Sequence, residues 1–484
     1  MRKRLVSNAK LAFLAGIFSW VGLFAPNQVR AQVPAAPRSV AWPPELVGKL
    51  EKLRDAALSN DYAWKQLAHL TENIGPRISG SPQAQHAVEY LADEMRKQGF
   101  EVKLEKVMVP HWVRGEERGI LTVFPGQAPG TTQKIVLTAL GNSAATPADG
   151  LEAEVVVVNT FDELTSMGRG KVAGRIVLFN EKYDKHKAAQ GDAGDAYGRS
   201  VQYREFGAKA AKELGAAASL VRSVGNADFR LPHTGDSIAA GIPSGAVSAE
   251  DADLIADLSR QGRVVMHLEL TPKTLPDVAS DNVIADLRGS EHPEQIVIVS
   301  GHLDSWDLGT GAMDDGAGVV IAMQTLHLCK ELGLRPKRTL RFIAWMNEES
   351  SGTGSQTYVA EHKSEFANHV GAIESDLGSG HPVGLQGSFI PRAEEVLQPL
   401  ARILAPIGAD ILRANGNSGE DVSEMGRAGV PAFGLMQDSR TYFSYHHTAA
   451  DTLDKIDPQG LAENCAVMAV MAYALADMEE PLPR

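Results

Sequence analysis

Beyond Asp281 the chain alternates strand-length apolar runs with helix-length segments, and few folds accommodate that alternation. Residues 282–287 and 295–300 read as strands, 316–332 as a helix, and 338–345 as a strand again. Strands separated by helices of this length predict an α/β fold: a mixed, mostly parallel sheet flanked by helices. Such sheets carry their chemistry at the carboxyl ends of the strands, which is therefore where functional side chains are expected.

Those ends carry ligand-type residues. The strand at 295–300 runs into Gly301-His302-Leu303-Asp304, and Asp314 follows in Ala312-Met313-Asp314-Asp315-Gly316 at the start of the next helix. The strand at 338–345 leads to Asn347-Glu348-Glu349, a short strand at 370–374 leads to Ser375-Asp376, and Tyr445-His446-His447-Thr448 precedes the C-terminal helix. Imidazole and carboxylate suit zinc, which in catalytic sites keeps positions open for water. Two zinc ions carry four positive charges. Asp314, Glu349 and Asp376 supply three negative ones, and a bridging hydroxide completes neutrality, so the balance favours two ions. Asp314 is assigned as the bridge, His302 and Asp376 as completing one ion, Glu349 and His447 the other.

Glu348 and Glu349 are neighbours, and on extended backbone neighbouring side chains point to opposite sides. Glu349 is read as a ligand and Glu348 as the general base that takes a proton from the attacking water and returns it to the leaving amine. Asp304, two residues beyond His302, is expected to accept a hydrogen bond from that imidazole and fix its tautomer. Asp315 suits the helix N-terminus.

The preceding chain has a different texture. Residues 45–70 and 82–98 are helical in pattern and 100–110 alternate like a strand, whereas residues 131–272 hold short strands between glycine-rich turns. No cluster in that stretch is expected to carry chemistry; His233 is read as a loop histidine capping a turn. The expected organisation is residues 1–31 as a signal peptide, 32–130 as the first part of the catalytic domain, 131–272 as an insert and 273–484 as the part carrying the metal site.

The signal peptide reading rests on Arg2, Lys3 and Arg4, the apolar run 11–24 and the small-x-small end Val29-Arg30-Ala31, and it implies export to the periplasm or medium with no membrane anchor afterwards. Removing residues 1–31 takes the 47 basic residues to 42 against 60 acidic ones, a charge of about −18 that excludes nucleic acid as a partner. Cys329 and Cys465 are the sole cysteines, so this is no disulfide scaffold; two buried thiols and one bridge both remain open.

These motifs together resemble the co-catalytic zinc aminopeptidase family, and within it the carboxypeptidase Q group. The resemblance is carried by the run 300–316, by Glu374-Ser375-Asp376, by His446-His447 with Asp451-Thr452, and by the tail Ala476-Asp477-Met478-Glu479-Glu480. It extends from about residue 73 to the C-terminus, and it identifies the insert as similar to a protease-associated domain. It implies metal ligands at His302, Asp314, Glu349, Asp376 and His447, with Glu348 as base. His447 is preferred over His446 because a ligand histidine followed by Thr, two residues and Asp-Thr is the family pattern. His446 then stands where relatives carry a tyrosine that supports the tetrahedral intermediate, a place from which it could donate to the oxyanion. The resemblance further implies cleavage of dipeptides and short peptides with free termini, and a homodimer. Asn347 and the stretch 415–423 depart from the family, the latter near the expected substrate pocket. The competing readings are a metal-dependent amide hydrolase of another substrate class and an inactive peptide-binding relative.

Overall fold

The structure, a computed structural model, describes residues 41–484; the signal peptide expected at residues 1–31 lies outside the described residues. The site is carried by an eight-stranded sheet of β1 (Glu101–Val113), β2 (Lys273–Leu287), β3 (His292–His302), β4 (Arg338–Trp345), β5 (His369–Glu374), β6 (Pro382–Ser388), β7 (Ile411–Ala414) and β8 (Ala432–Gln437). Their order is β1-β2-β4-β3-β5-β8-β6-β7. The four central strands β4, β3, β5 and β8 are parallel, with β2 and β6 antiparallel at their flanks.

Strand alternation builds two cores at once. Val297, Val299, Leu340 and Phe342 face one apolar cluster, while Ile296, Ile298, Ile343 and Trp345 face the other. On the first face lie Ala317–Glu331 and the C-terminal helix Pro458–Asp477, itself packed on Pro44–Ser59. Both are apolar around almost their whole circumference because other helices cover the side turned from the sheet. No described helix is long and apolar enough to cross a membrane. Cys329 and Cys465 sit in these two helices as free, buried thiols.

β1 and β2 leave the sheet together as an antiparallel ribbon ending at the pair Val113 and Lys273. Between those ends the chain forms a second eight-stranded sheet, from Glu117–Val123 to Val265–Leu270. Glu117–Val123 pairs with Val265–Leu270, so this sheet takes in residues ahead of position 131. Its longest helix is Ala193–Glu213.

One close approach sets the geometry of the site. A Cβ on Gly318 would lie 1.9 Å from the Ser375 carbonyl oxygen, and one on Gly301 would lie 2.7 Å from the Gly318 carbonyl carbon. The first turn of Ala317–Glu331 is thus pressed between the ends of β3 and β5, with the loops of His302, Asp314 and Asp376 drawn together. Gly318→Ala is expected to cost about 3 kcal/mol through overpacking, read as a lowered urea midpoint; an unchanged midpoint would show that the contact relaxes freely.

Candidate metal centre

His302 is the last residue of β3. Its backbone N–H donates to Asp315 Oδ2 at 3.0 Å, and Asp315 Oδ1 accepts from the Gly318 N–H at 3.0 Å, tying the strand end to the helix start. His302 Nδ1–H donates to the backbone carbonyl of Asp304 at 3.0 Å, while the Asp304 carboxylate stands 3.9 Å away. The expected tautomer-fixing contact therefore exists, but through the main chain rather than the side chain.

The Asp304 carboxylate is engaged elsewhere. It accepts from the N–H groups of Asn347, Glu348 and Glu349 at 2.7, 3.1 and 3.3 Å, and from Ser79 Oγ at 3.0 Å. Glu348 and Glu349 are accordingly not on extended backbone, as the strand pattern implies. Asn347 adopts a left-handed conformation, φ 71°, that ends the strand, and Glu348–Ser351 form one helical turn whose exposed N–H groups Asp304 caps. The Asn347 amide steadies the turn through Ser351 Oγ and Thr353 Oγ1, at 2.7 and 2.8 Å.

Asp314 lies at the middle of the centre. Its Oδ1 is 3.2 Å from His302 Nε2, which is 3.4 Å from Asp376 Oδ1. Its Oδ2 is 3.1 Å from His447 Nε2, which is 2.9 Å from Glu349 Oε2. Oδ1 thus faces His302 with Asp376, while Oδ2 faces His447 with Glu349 and also His446, whose Nε2 is 3.3 Å away. Donors about 2.0 Å from a tetrahedral zinc stand about 3.3 Å from one another, close to these separations. Asp314 Oδ2 and Glu349 Oε1 are buried without a hydrogen-bond partner, as befits oxygens that await a cation.

Two supports of this arrangement are silent in the local sequence. Asp451 accepts from the N–H groups of Met313 and Asp314 at 2.6 and 3.2 Å, so the Asp-Thr pair after the histidines holds the Asp314 turn. Trp306 Nε1 donates to Glu349 Oε2 at 2.6 Å and so holds that carboxylate from the loop after β3.

The second sheet's segment also reaches the centre, contrary to the expectation that it carries no such cluster. His233 is wholly buried, not at a loop turn, and its Nε2 lies 3.0 Å from His446 Nδ1. Arg204 Nη1 is 3.3 Å from His447 Nδ1 and donates to Tyr197 Oη at 2.5 Å; Arg204 Nε donates to the Asp236 carbonyl at 3.1 Å. A cavity of about 1170 Å³ opens beside the centre, lined by Glu348, Asp376, Arg204, Tyr442, Asn417 and Asp421 among others. The stretch 415–423 therefore does border it.

Residues 282–472 match the model of Peptidase family M28. The chain is similar to carboxypeptidase Q of Bos taurus, 40% identical over 429 residues and 87% of each protein. The chain belongs to peptidase family M28. It is also similar to the solved structure of a peptidase M28 precursor from Shewanella amazonensis SB2B, with 36% identity and a TM-score of 0.85 over 91% of this chain and 98% of that one. A zinc aminopeptidase from Bacillus subtilis shares the fold, with 21% identity and a TM-score of 0.63 over 87% of this chain and 95% of that one. Membership of M28, and of its carboxypeptidase Q group, makes the chain a zinc metallopeptidase.

The charges of this M28 centre are tuned for a cation. Burial lowers the proton affinity of His302, but its contacts with Asp314 and Asp376 outweigh that and hold it well above the usual histidine range. Burial likewise opposes protonation of His447, and Glu349 with Asp314 pushes it up to about 9. Burial raises Glu349 and Asp376, only partly offset by the histidines. His233 and His446 are held well below the usual value, first by burial and then by neighbouring positive charge. A cation must therefore displace protons from the raised groups. Zinc affinity of the metal-free protein is expected to fall as pH drops below about 9, with net proton release on binding. Titration calorimetry in buffers of different ionisation enthalpy checks this; binding that neither releases protons nor weakens with acid would contradict it.

Proposed function

We propose that this chain is an exported two-zinc exopeptidase that hydrolyses dipeptides or removes N-terminal residues from short peptides. The observation that carries the reading is Asp314, whose two oxygens face different histidine–carboxylate pairs, His302 with Asp376 at Oδ1 and His447 with Glu349 at Oδ2. His302 and Asp376 would hold one ion with Asp314 Oδ1, and Glu349 and His447 the other with Oδ2. Zinc in such a site supplies Lewis acidity and lowers the pKa of water toward neutrality.

The protein's own groups perform the rest. Glu348 lines the cavity on the turn capped by Asp304, and its carboxyl is held well above the usual range, first by burial and then by Asp376, Glu349 and Asp421, with His302 opposing. From that place Glu348 can take the proton of the attacking water and deliver it to the leaving amine. His446, with Nε2 3.3 Å from Asp314 Oδ2, is placed to donate to the developing oxyanion. Arg204 is buried, and its nearest carboxylate, Glu205, is 3.8 Å away, beyond hydrogen-bond distance. A free substrate carboxylate would complete its hydrogen bonding, which supports short peptides with unblocked C-termini as substrates.

The second sheet's segment is taken to be an inserted protease-associated domain and the assembly to be a homodimer, which sedimentation equilibrium would test. The sequence of residues 1–31 supports export, tested by the N-terminus of the mature protein.

Glu348→Gln should bind zinc normally but lose at least about 100-fold in kcat on dipeptides; near wild-type turnover would remove Glu348 as base. Asp314→Ala should lose zinc, and a full complement in that variant would sink the bridging role. Arg204→Met should raise KM about tenfold for a dipeptide but not for its amide. Equal effects on both would argue against the carboxylate contact.

A further inference from the structure

His446 and His447 are adjacent, stacked with ring centroids 3.6 Å apart, and equally buried, yet the proposed mechanism gives them opposite chemistry. A ligand through Nε2 needs a bare Nε2 and a proton on Nδ1. A donor toward the oxyanion needs the reverse, a proton on Nε2 and a bare Nδ1. Nothing in the His446-His447 segment itself distinguishes the two rings.

The second sheet's segment does. Two of its consecutive residues meet the Nδ1 atoms of the two rings: the His233 imidazole lies 3.0 Å from His446 Nδ1, and the Thr234 carbonyl 3.3 Å from His447 Nδ1. Arg204 Nη1, also 3.3 Å from His447 Nδ1, can only donate, but it has Tyr197 Oη at 2.5 Å as an acceptor. The Thr234 carbonyl can only accept, so an imidazole with its proton on Nδ1 satisfies it and leaves Nε2 bare toward Glu349 and Asp314. The Thr234 N–H donates to the His447 carbonyl at 2.9 Å, which holds the two loops in register.

For His446 the decisive atom is on the other ring. His233 Nδ1 is buried with no partner. If His446 Nδ1 donated to His233 Nε2, the proton of His233 would sit on that orphaned Nδ1, leaving an unpaired N–H in the interior. If His233 Nε2 donates instead, the orphan is a lone pair, the lesser cost of the two. The second arrangement leaves His446 Nδ1 as acceptor and puts its proton on Nε2, the nitrogen facing Asp314 and the cavity. The His233 backbone is anchored in place, since its N–H donates to Ser223 Oγ at 3.0 Å and Ser223 Oγ donates to the Val247 carbonyl at 2.8 Å.

We infer that His233 and Thr234 fix opposite tautomers of His446 and His447, making His447 the residue able to ligate zinc through Nε2 and His446 an Nε2–H donor toward the reacting carbonyl. His233 is a positioning residue that acts through His446, and the inference rests on the two-zinc assignment proposed above. It gives the inserted segment a direct part in the reaction: without it the two histidines could exchange roles.

The test reads the tautomers in zinc-loaded full-length protein labelled with 15N-histidine, the ring nitrogens of residues 446 and 447 being assigned from His446→Gln and His447→Gln spectra. The expected result is a proton on Nε2 of His446 and on Nδ1 of His447; a proton on Nδ1 of His446 overturns the inference. Kinetics supply a second readout. His233→Met should lower kcat on a dipeptide roughly 10- to 100-fold with KM within about twofold and zinc content unchanged. His233→Gln, whose amide can donate from the same place, should recover to within about threefold of wild type. Equal losses in both variants overturn the role. Wild-type protein that binds no zinc removes the metal assignment and the inference with it. Protein that binds two zinc ions while His446 carries its proton on Nδ1 removes the inference alone.

Discussion

The mutual repulsion of buried carboxylates is the constraint on which the rest of this structure depends. Asp314, Glu349 and Asp376 converge on two histidines, with Asp304, Asp315 and Asp451 immediately behind them. An isolated buried carboxylate costs several kcal/mol, and several together are tolerated only when protons, N–H groups or cations answer them. The structure divides that labour. Asp304, Asp315 and Asp451 are answered by backbone N–H groups, whereas Asp314 Oδ2 and Glu349 Oε1 are left without a donor. The oxygens left over are those that a divalent cation would take up.

Holding such a cluster against its own repulsion requires rigid supports, and the scaffold provides them at the carboxyl ends of four parallel strands. Gly301 and Gly318 allow strand and helix to touch, and the turn bearing Glu348 and Glu349 hangs from Asp304. Arg77, wholly buried, donates to the carbonyls of Leu303, Thr310 and Gly311 at 2.7, 2.8 and 2.8 Å, pinning both ends of the loop between His302 and Asp314. Its positive charge lies beside Asp451, Asp304, Asp315 and Asp314 without taking an oxygen from the centre.

Much of this is legible in the sequence because strand and ligand are adjacent in the chain. The β-branched run before His302 and the run Arg338–Trp345 announce parallel strands, and a residue just past such a strand falls on the catalytic edge whatever its side chain. Pro382–Ser388 and Ile411–Ala414 are not announced: one is short and glycine-rich and the other is four residues long, so neither shows a period. The chemistry of Asp304 is misread because the left-handed Asn347, far along the chain, decides which N–H groups point at it. His233 is illegible for the same reason in stronger form, since its partner is 213 positions away and pairing of that kind leaves no local pattern. Its signal is the burial of a histidine in a loop, which only the folded chain reveals.

The proposed two-ion centre is tested most directly by anomalous X-ray diffraction from crystals grown with zinc. Two zinc peaks are expected about 3.5 Å apart, one beside Asp314 Oδ1 with His302 and Asp376, the other beside Oδ2 with Glu349 and His447. A single peak, or a second ion held by His446 in place of His447, would contradict it.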